Sequence, residues 1–155
     1  MKDKRVIVTG GASGFGEGIV RACIAAEAKV GILDINQTNA QALAAELGAE
    51  TLPLIADVSD AQSLADALTR FKAWCGGIDV LINNAGLPHP PMALETVPEA
   101  TFDALVAVNM KSIYYLSQLV VPEFKAQGHG CILNIASTAG VSPRPNLTWY
   151  NASKG

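Results

Sequence analysis

Apolar residues along this chain follow two rhythms. Short runs at Val6 to Val8, Lys29 to Asp34, Thr51 to Ala56, Ile78 to Ile82 and Cys131 to Ala136 show little polar alternation, the pattern of strands covered on both faces of a parallel sheet. Between them, apolar residues recur at helical spacing: Ile19, Val20, Cys23 and Ile24 within Glu17 to Ala28, alanines and leucines from Thr38 to Leu47, and Leu64, Leu68 and Phe71 in a segment ending near Trp74. A longer helical stretch runs from Thr96 toward Ala126. Five strands alternating with four helical stretches predict a right-handed βαβ series, hence an α/β fold with a doubly wound parallel sheet of order 3-2-1-4-5.

Local signals set the limits of these elements. Gly48 is placed to end the second helix in the left-handed conformation, and Gly76-Gly77 to stop the third. Ser59 with Gln62, and Thr96 with Glu99, read as capping boxes for the third and fourth helices, with Pro98 in the first turn of the latter and Pro122 bending its later part. Proline stiffens two irregular loops, Leu87 to Met92 and Val141 to Asn146. No repeat or internal linker divides the chain, so residues 1–155 read as a single domain.

Composition narrows the function classes. The chain has 155 residues, half of them hydrophobic and 16% charged, a balance that suits a buried parallel sheet. A net charge of −3 with scattered Lys and Arg leaves no basic stripe for a nucleic acid. No apolar run approaches the ~20 residues of a membrane span, and the first strand, starting at Arg5 or Val6, leaves no room for a signal peptide. Cys23, Cys75 and Cys131 are odd in number and far apart, which fits small buried hydrophobes in a reduced cytoplasmic interior. His89 and His129 stand apart from any thiol or carboxylate set, so no metal site is expected.

The candidate chemistry collects at the strand ends. After the first strand come Thr9, Gly10, Ser13, Gly14, Phe15 and Gly16, a glycine turn that opens a helix. Such a turn brings backbone close to a pyrophosphate and offers it the N–H groups and dipole of the helix N-terminus; the plain alternative is a tight turn. The second strand ends in Asp34, placed to accept hydrogen bonds from an adenosine ribose. A carboxylate there also repels a 2′-phosphate, and Ser13, Ile35 and Asn36 supply no cation, so NAD is favoured over NADP. Asp57 and Val58 follow the third strand, where Asp57 either caps a helix or faces the ligand crevice. Asn83-Asn84-Ala85-Gly86 follow the fourth, with amides able to bridge strands and backbone able to lie against a flat ligand; an ordinary turn is the alternative. Asn109, a polar residue within a helix, implies a surface position or a kink that frees a carbonyl.

Ser137 closes the fifth strand, and Tyr150 and Lys154 lie four apart, on one face of a helix. A free phenol, with a pKa of about 10, transfers protons poorly at neutral pH, and a nearby ammonium together with a cationic nicotinamide favours the phenolate. Read alone, such a pair is as well explained by a solvated helix face.

Taken together, Thr9-Gly10-(three residues)-Gly14-Phe15-Gly16, Asp57-Val58, Asn83-Asn84-Ala85-Gly86, Asn109, Ser137 and Tyr150-(three residues)-Lys154 resemble, in order and spacing, the short-chain dehydrogenases/reductases, which have a Rossmann-like fold. The resemblance implies an oxidoreductase moving hydride between NAD(H) and a secondary alcohol or ketone, with a 3-oxoacyl reductase-like activity as one form. It implies Tyr150 as general acid/base and Lys154 as the residue that favours its phenolate and binds the nicotinamide ribose. Ser137 would hold the substrate oxygen, and Asn109 would keep a water linking Lys154 to solvent. Gly10, Ser13, Gly14, Phe15 and Gly16 would line the pyrophosphate turn, and Asp34, with Ile35 beside it, would take the ribose. Asp57 and Val58 would meet the adenine, and Asn84, Ala85 and Gly86 would back the nicotinamide. His89, Met92, Val141, Arg144 and Trp149 are candidate substrate contacts. Phe15 departs mildly from the isoleucine or leucine common in the family.

Members continue beyond the lysine, so this chain reads as the N-terminal part of such a domain, with an exposed apolar fifth strand and little activity by itself. The resemblance also implies a homo-oligomer, a dimer or tetramer, paired through the long helix. Two readings compete: a nucleotide-binding module without chemistry, and a sugar-nucleotide epimerase, which the spacing of Gly10, Gly14 and Gly16 disfavours.

Overall fold

Side-chain alternation along the strands builds two cores, one on each face of a sheet. The computed structural model describes residues 1–155. Its five strands, β1 (Arg5–Thr9), β2 (Lys29–Asp34), β3 (Thr51–Ile55), β4 (Val80–Asn83) and β5 (Cys131–Asn134), are all parallel and stand in the order β3-β2-β1-β4-β5. This is the expected doubly wound order. Successive residues of a strand point to opposite faces. Val6, Val8, Val30, Ile32 and Ile82 therefore meet Val20 and Cys23 of α1 (Gly14–Ala25) and Ala40 and Leu43 of α2 (Gln37–Leu47). Ile7, Leu33, Leu54 and Leu81 meet Leu64, Leu68 and Phe71 of α3 (Ala61–Cys75) and Leu116 and Val120 of α5 (Ser112–Gln127) on the other face. Each large aliphatic residue removed from water contributes roughly 1.5–3 kcal/mol. Gly31 sits in β2 because a Cβ there would stand 2.8 Å from the Phe71 ring.

At the edge of the sheet opposite the strand ends that carry the candidate chemistry, Asp79 is buried. It accepts hydrogen bonds from the Arg5 backbone N at 2.9 Å and from Arg5 Nε and Nη2 at 2.8 Å each, with His129 Nε2 at 3.0 Å. These contacts tie the starts of β1 and β4 to the turn that enters β5.

The structure corrects several expectations. Asp60, and not Ser59, caps α3, because its carboxylate accepts from Gln62 N at 2.8 Å and Ser63 N at 3.3 Å while the Ser59 hydroxyl donates to Asp57. The Thr96 hydroxyl donates back to Ala93 O within a 3-10 turn, Leu94–Thr96, so Pro98 stands at the N-cap of α4 (Glu99–Val106) without a side-chain cap. Gly48 has positive φ but an extended ψ of −159°, outside the left-handed helical region that Gly76 adopts. A short helix, α6 (Thr138–Val141), lies between Ser137 and the proline-rich loop, and α7 (Thr148–Lys154) closes the chain.

Cys23 is buried and Cys75 half-buried, and burial pushes both thiols up in pKa. Cys131, expected to be buried, is exposed because no element covers β5 beyond β4; Leu133 on the same strand is likewise exposed. The continuous helical stretch Glu99–Gln127 is, by length and composition, long and apolar enough to cross a membrane, contrary to the sequence expectation. Here Leu105, Leu116 and Val120 are buried in the fold.

Candidate active site

The glycine turn after β1 is shaped by what surrounds it. Gly10 and Gly14 adopt φ of 59° and 54°, a region that favours glycine. A Cβ at Gly16 would overlap the Gly10 carbonyl oxygen and stand 2.6 Å from Asn84 Nδ2. Asn84 locks this turn: its Nδ2 donates to Thr9 O at 2.9 Å and Gly10 O at 3.1 Å. The backbone N–H groups of Asn84 and Ala85 both donate to Thr9 Oγ1 at 3.0 Å. Thr9, a buried hydroxyl at the end of an aliphatic strand, is therefore a positioning residue that the sequence showed only as part of a motif. Ser13 stands at the N-cap of α1 without a side-chain hydrogen bond to the helix, and open space surrounds Gly14. The first-turn N–H groups of α1, which have no intrahelical partner, are thus left to a ligand or water.

Asp34 ends β2 with Oδ2 accepting from Ala12 N at 3.0 Å and Oδ1 from Asn36 N at 2.9 Å. It does not cap α2; Asn36 does, accepting from Asn39 N. Asp34, exposed Ile35, Asp57, Val58, Gly10 and Gly86 line one cleft of about 220 Å³. The expected Ala85 lines it too, and Ala56, Leu87 and Val108 complete its wall; small or aliphatic residues like these last three carry no chemical signal in a sequence. Asp57 accepts from the backbone N and hydroxyl of Ser59, which turns the chain toward α3.

A second cleft, of about 500 Å³, shares Gly86 with the first and is lined by Ser137, Tyr150, Lys154, Asn84, Phe15 and Arg144, among others. Ser137 Oγ accepts from Ala139 N at 3.1 Å as the cap of α6, which leaves its proton for another partner. Lys154 Nζ donates to Ile135 O at 3.1 Å and lies over Gly86, where a Cβ would come within 3.2 Å of it. Asn83 Nδ2 donates to Asn134 Oδ1 at 2.8 Å, the strand-bridging amide expected from sequence.

Asn109 is buried at the centre of a π-helical turn, Ala107–Lys111, which excludes the surface position. Its Oδ1 accepts from Leu87 N at 2.7 Å, and its Nδ2 donates to Leu87 O at 3.0 Å and Ser153 Oγ at 2.9 Å. Ser153 Oγ donates in turn to Tyr150 O at 2.8 Å. Asn109 and Ser153 thereby fasten α7 to the loop after β4. Ser153 lay between Tyr150 and Lys154 with nothing in the sequence to mark it.

Of the five candidate substrate contacts, Arg144 lines the second cleft, and the other four are not among its lining residues. His89 is buried with Nδ1 2.8 Å from Pro90 O, Met92 N donates to Asn146 O, Val141 is exposed, and Trp149 packs edge-on against Phe102.

The chain resembles known proteins over almost all its length. The sequence model of a family described as short chain dehydrogenase matches residues 4–155. The chain is 44% identical over 151 residues to 4-formylbenzenesulfonate dehydrogenase TsaC1/TsaC2 of Comamonas testosteroni, covering 96% of this chain and 60% of that one. It is 36% identical to 7alpha-hydroxysteroid dehydrogenase of Bacteroides fragilis, covering 99% and 61%. Among solved structures, 3-ketoacyl-(acyl-carrier-protein) reductase from Brucella melitensis, complexed with NADH, superposes with a TM-score of 0.95 at 39% identity, covering 99% of this chain and 65% of that one. The chain thus spans about 60% of the length of these curated relatives.

Proposed function

Because the chain belongs to the short-chain dehydrogenase family, whose members similar to it are dehydrogenases and reductases, we propose that it serves an NAD-dependent interconversion of a secondary alcohol and a ketone. One observation carries this reading: Ser137, Tyr150 and Lys154 share a cleft with Gly86, and Gly86 also borders the cleft of Asp34.

The two clefts suit the two ends of a dinucleotide. In the first, Asp34 accepts from the adenosine ribose hydroxyls and its charge opposes a 2′-phosphate, while Asp57 and Val58 flank the adenine. The Gly10, Ser13, Gly14, Phe15 and Gly16 turn offers its N–H groups to the pyrophosphate, which can approach because no Cβ stands at the glycines. Asn84, Ala85 and Gly86 back the nicotinamide end. A bound nicotinamide supplies the hydride acceptor or donor.

The chain's own groups handle the proton. Ser137 donates its hydroxyl proton to the carbonyl oxygen and holds it toward Tyr150. The Tyr150 phenol gives a proton to that oxygen during reduction and takes it back during oxidation. Lys154, one helical turn from Tyr150 and lining the same cleft, holds the nicotinamide ribose. Asn109, through Leu87 and Ser153, keeps the helix carrying Tyr150 and Lys154 in register. Reduction of 3-oxoacyl groups, after which the Brucella relative is named, is one form the reaction takes. Self-association through the exposed face of Met110 and Tyr114 belongs to the same reading.

Tyr150→Phe, made in the protein at its natural length, lowers turnover by at least about a hundredfold, the range of a lost general acid/base, and leaves the NAD dissociation constant within about twofold. Unchanged turnover in the variant contradicts the mechanism. Nucleotide binding with no turnover by the unmutated protein, across a panel of secondary alcohols and ketones, assigns it to a binding module instead.

A further inference from the structure

We infer that the carbonyl substrate carries an oxyanion, such as a carboxylate, which the Arg144 guanidinium binds across the second cleft from Ser137 and Tyr150. The inference rests on the hydride-transfer reading above and names the substrate class of the same site.

Three observations lead there. The residues lining this cleft include two cations, Arg144 and Lys154, and no carboxylate. Lys154 is already engaged with Ile135 O and the floor at Gly86. The exposed Arg144 guanidinium has no ion-pair or hydrogen-bond partner within the chain; the same holds for Arg70, which lies on α3 away from either cleft, whereas Arg5 and Arg21 are each held by carboxylates.

Arg144 also stands on a built support. The side chain of Asn151, next to Tyr150, grips the Arg144 backbone from both sides: Nδ2 donates to Arg144 O at 2.9 Å, and Oδ1 accepts from Arg144 N at 3.3 Å. Leu147 N donates to the same carbonyl, and Pro143 and Pro145 on either side restrict the backbone further. The loop position of Arg144 is thus set by the helix that carries Tyr150. These bonds fix the backbone that carries the side chain, and a planar guanidinium lining a cleft without carboxylates matches the fork of an oxyanion such as a carboxylate.

Binding tests the inference independently of turnover, because a ketone and oxidised nicotinamide do not react. The NAD+-loaded protein at its natural length is titrated calorimetrically with para-acetylbenzoate and with its uncharged methyl ester, in the wild type, Arg144→Gln and Arg144→Lys. The acid is expected to bind the wild type at least about tenfold more tightly than the ester, as for a charge-assisted pair. Arg144→Gln removes the preference, and Arg144→Lys restores part of it. Equal binding of acid and ester by the wild type overturns the inference, as does a preference that survives Arg144→Gln. So does a loss in Arg144→Gln of NAD+ affinity alone, which would assign the guanidinium to the cofactor phosphates. Reduction of the two ketones with NADH is then measured on the same proteins. A binding preference in a protein that turns over neither these ketones nor the panel of secondary alcohols and ketones above upholds the anion site and contradicts the proposed hydride transfer, so the two failures are separable.

Discussion

A methyl group at position 16 would overlap the carbonyl oxygen of Gly10, with the Asn84 amide 2.6 Å from the same point. Gly16→Ala therefore has to push apart the turn, the start of α1 and the end of β4 together. It is expected to lower stability by about 1–3 kcal/mol, the cost of overpacking, and to weaken NAD binding at least about tenfold; thermal unfolding and calorimetry read the two effects. Gly14→Ala meets open space and pays only for its positive φ, so its loss of stability is the smaller. At this scale the sequence was legible where function demanded an unusual residue type: glycines in a turn, a carboxylate ending a strand, a phenol four residues before an amine. It was silent where ordinary residues do the positioning. The Thr9 hydroxyl collects two backbone N–H groups, and Ser153 joins Asn109 to Tyr150. Neither role follows from residue type or spacing, because both depend on segments brought together from distant parts of the chain.

At the scale of elements, strand order and helix existence followed from hydrophobic period, and Gly76 ends α3 as expected, while the N-caps of α3 and α4 did not follow. Asp60 displaced Ser59 as the cap of α3 because a carboxylate offers two adjacent N–H groups a stronger acceptor than a hydroxyl already donating elsewhere. The surface position of Asn109 was one of two alternatives until its amide was seen buried and bonded to Leu87 and Ser153.

The starts of β1 and β4 depend on Asp79, which the Arg5 side chain, the Arg5 backbone N–H and His129 together hold well below the usual carboxylate range. A carboxyl with a depressed folded-state pKa contributes stability that is complete above its unfolded value of about 4 and is lost as pH falls from there toward the folded value. Asp79→Asn leaves the half-buried Arg5 charge without its partner and is expected to cost about 2 kcal/mol at neutral pH. The difference from wild type narrows as pH falls below about 4. Urea unfolding at a series of pH values checks both. A gap between the two proteins that stays constant into acid removes Asp79 as the linked group.

For the whole molecule, the account requires that two clefts meeting at Gly86 act as a single groove along one end of the sheet. Parallel strands order their C-terminal ends in a row, so residues separated by more than a hundred positions, such as Asp34 and Tyr150, arrive on the same rim. That convergence was foreseeable from the βαβ alternation. The solvent-facing Cys131 departs from a rule that holds for cysteines in covered strands. The most direct measurement is a titration of the isotopically labelled chain with NAD+, followed by backbone amide NMR. The account predicts concerted shifts in Gly10 to Gly16, in Asp34-Ile35 and Asp57-Val58, in Asn84 to Gly86 and in Tyr150 to Lys154, all with one dissociation constant. Shifts confined to the Asp34 side, or absent from the glycine turn, contradict it.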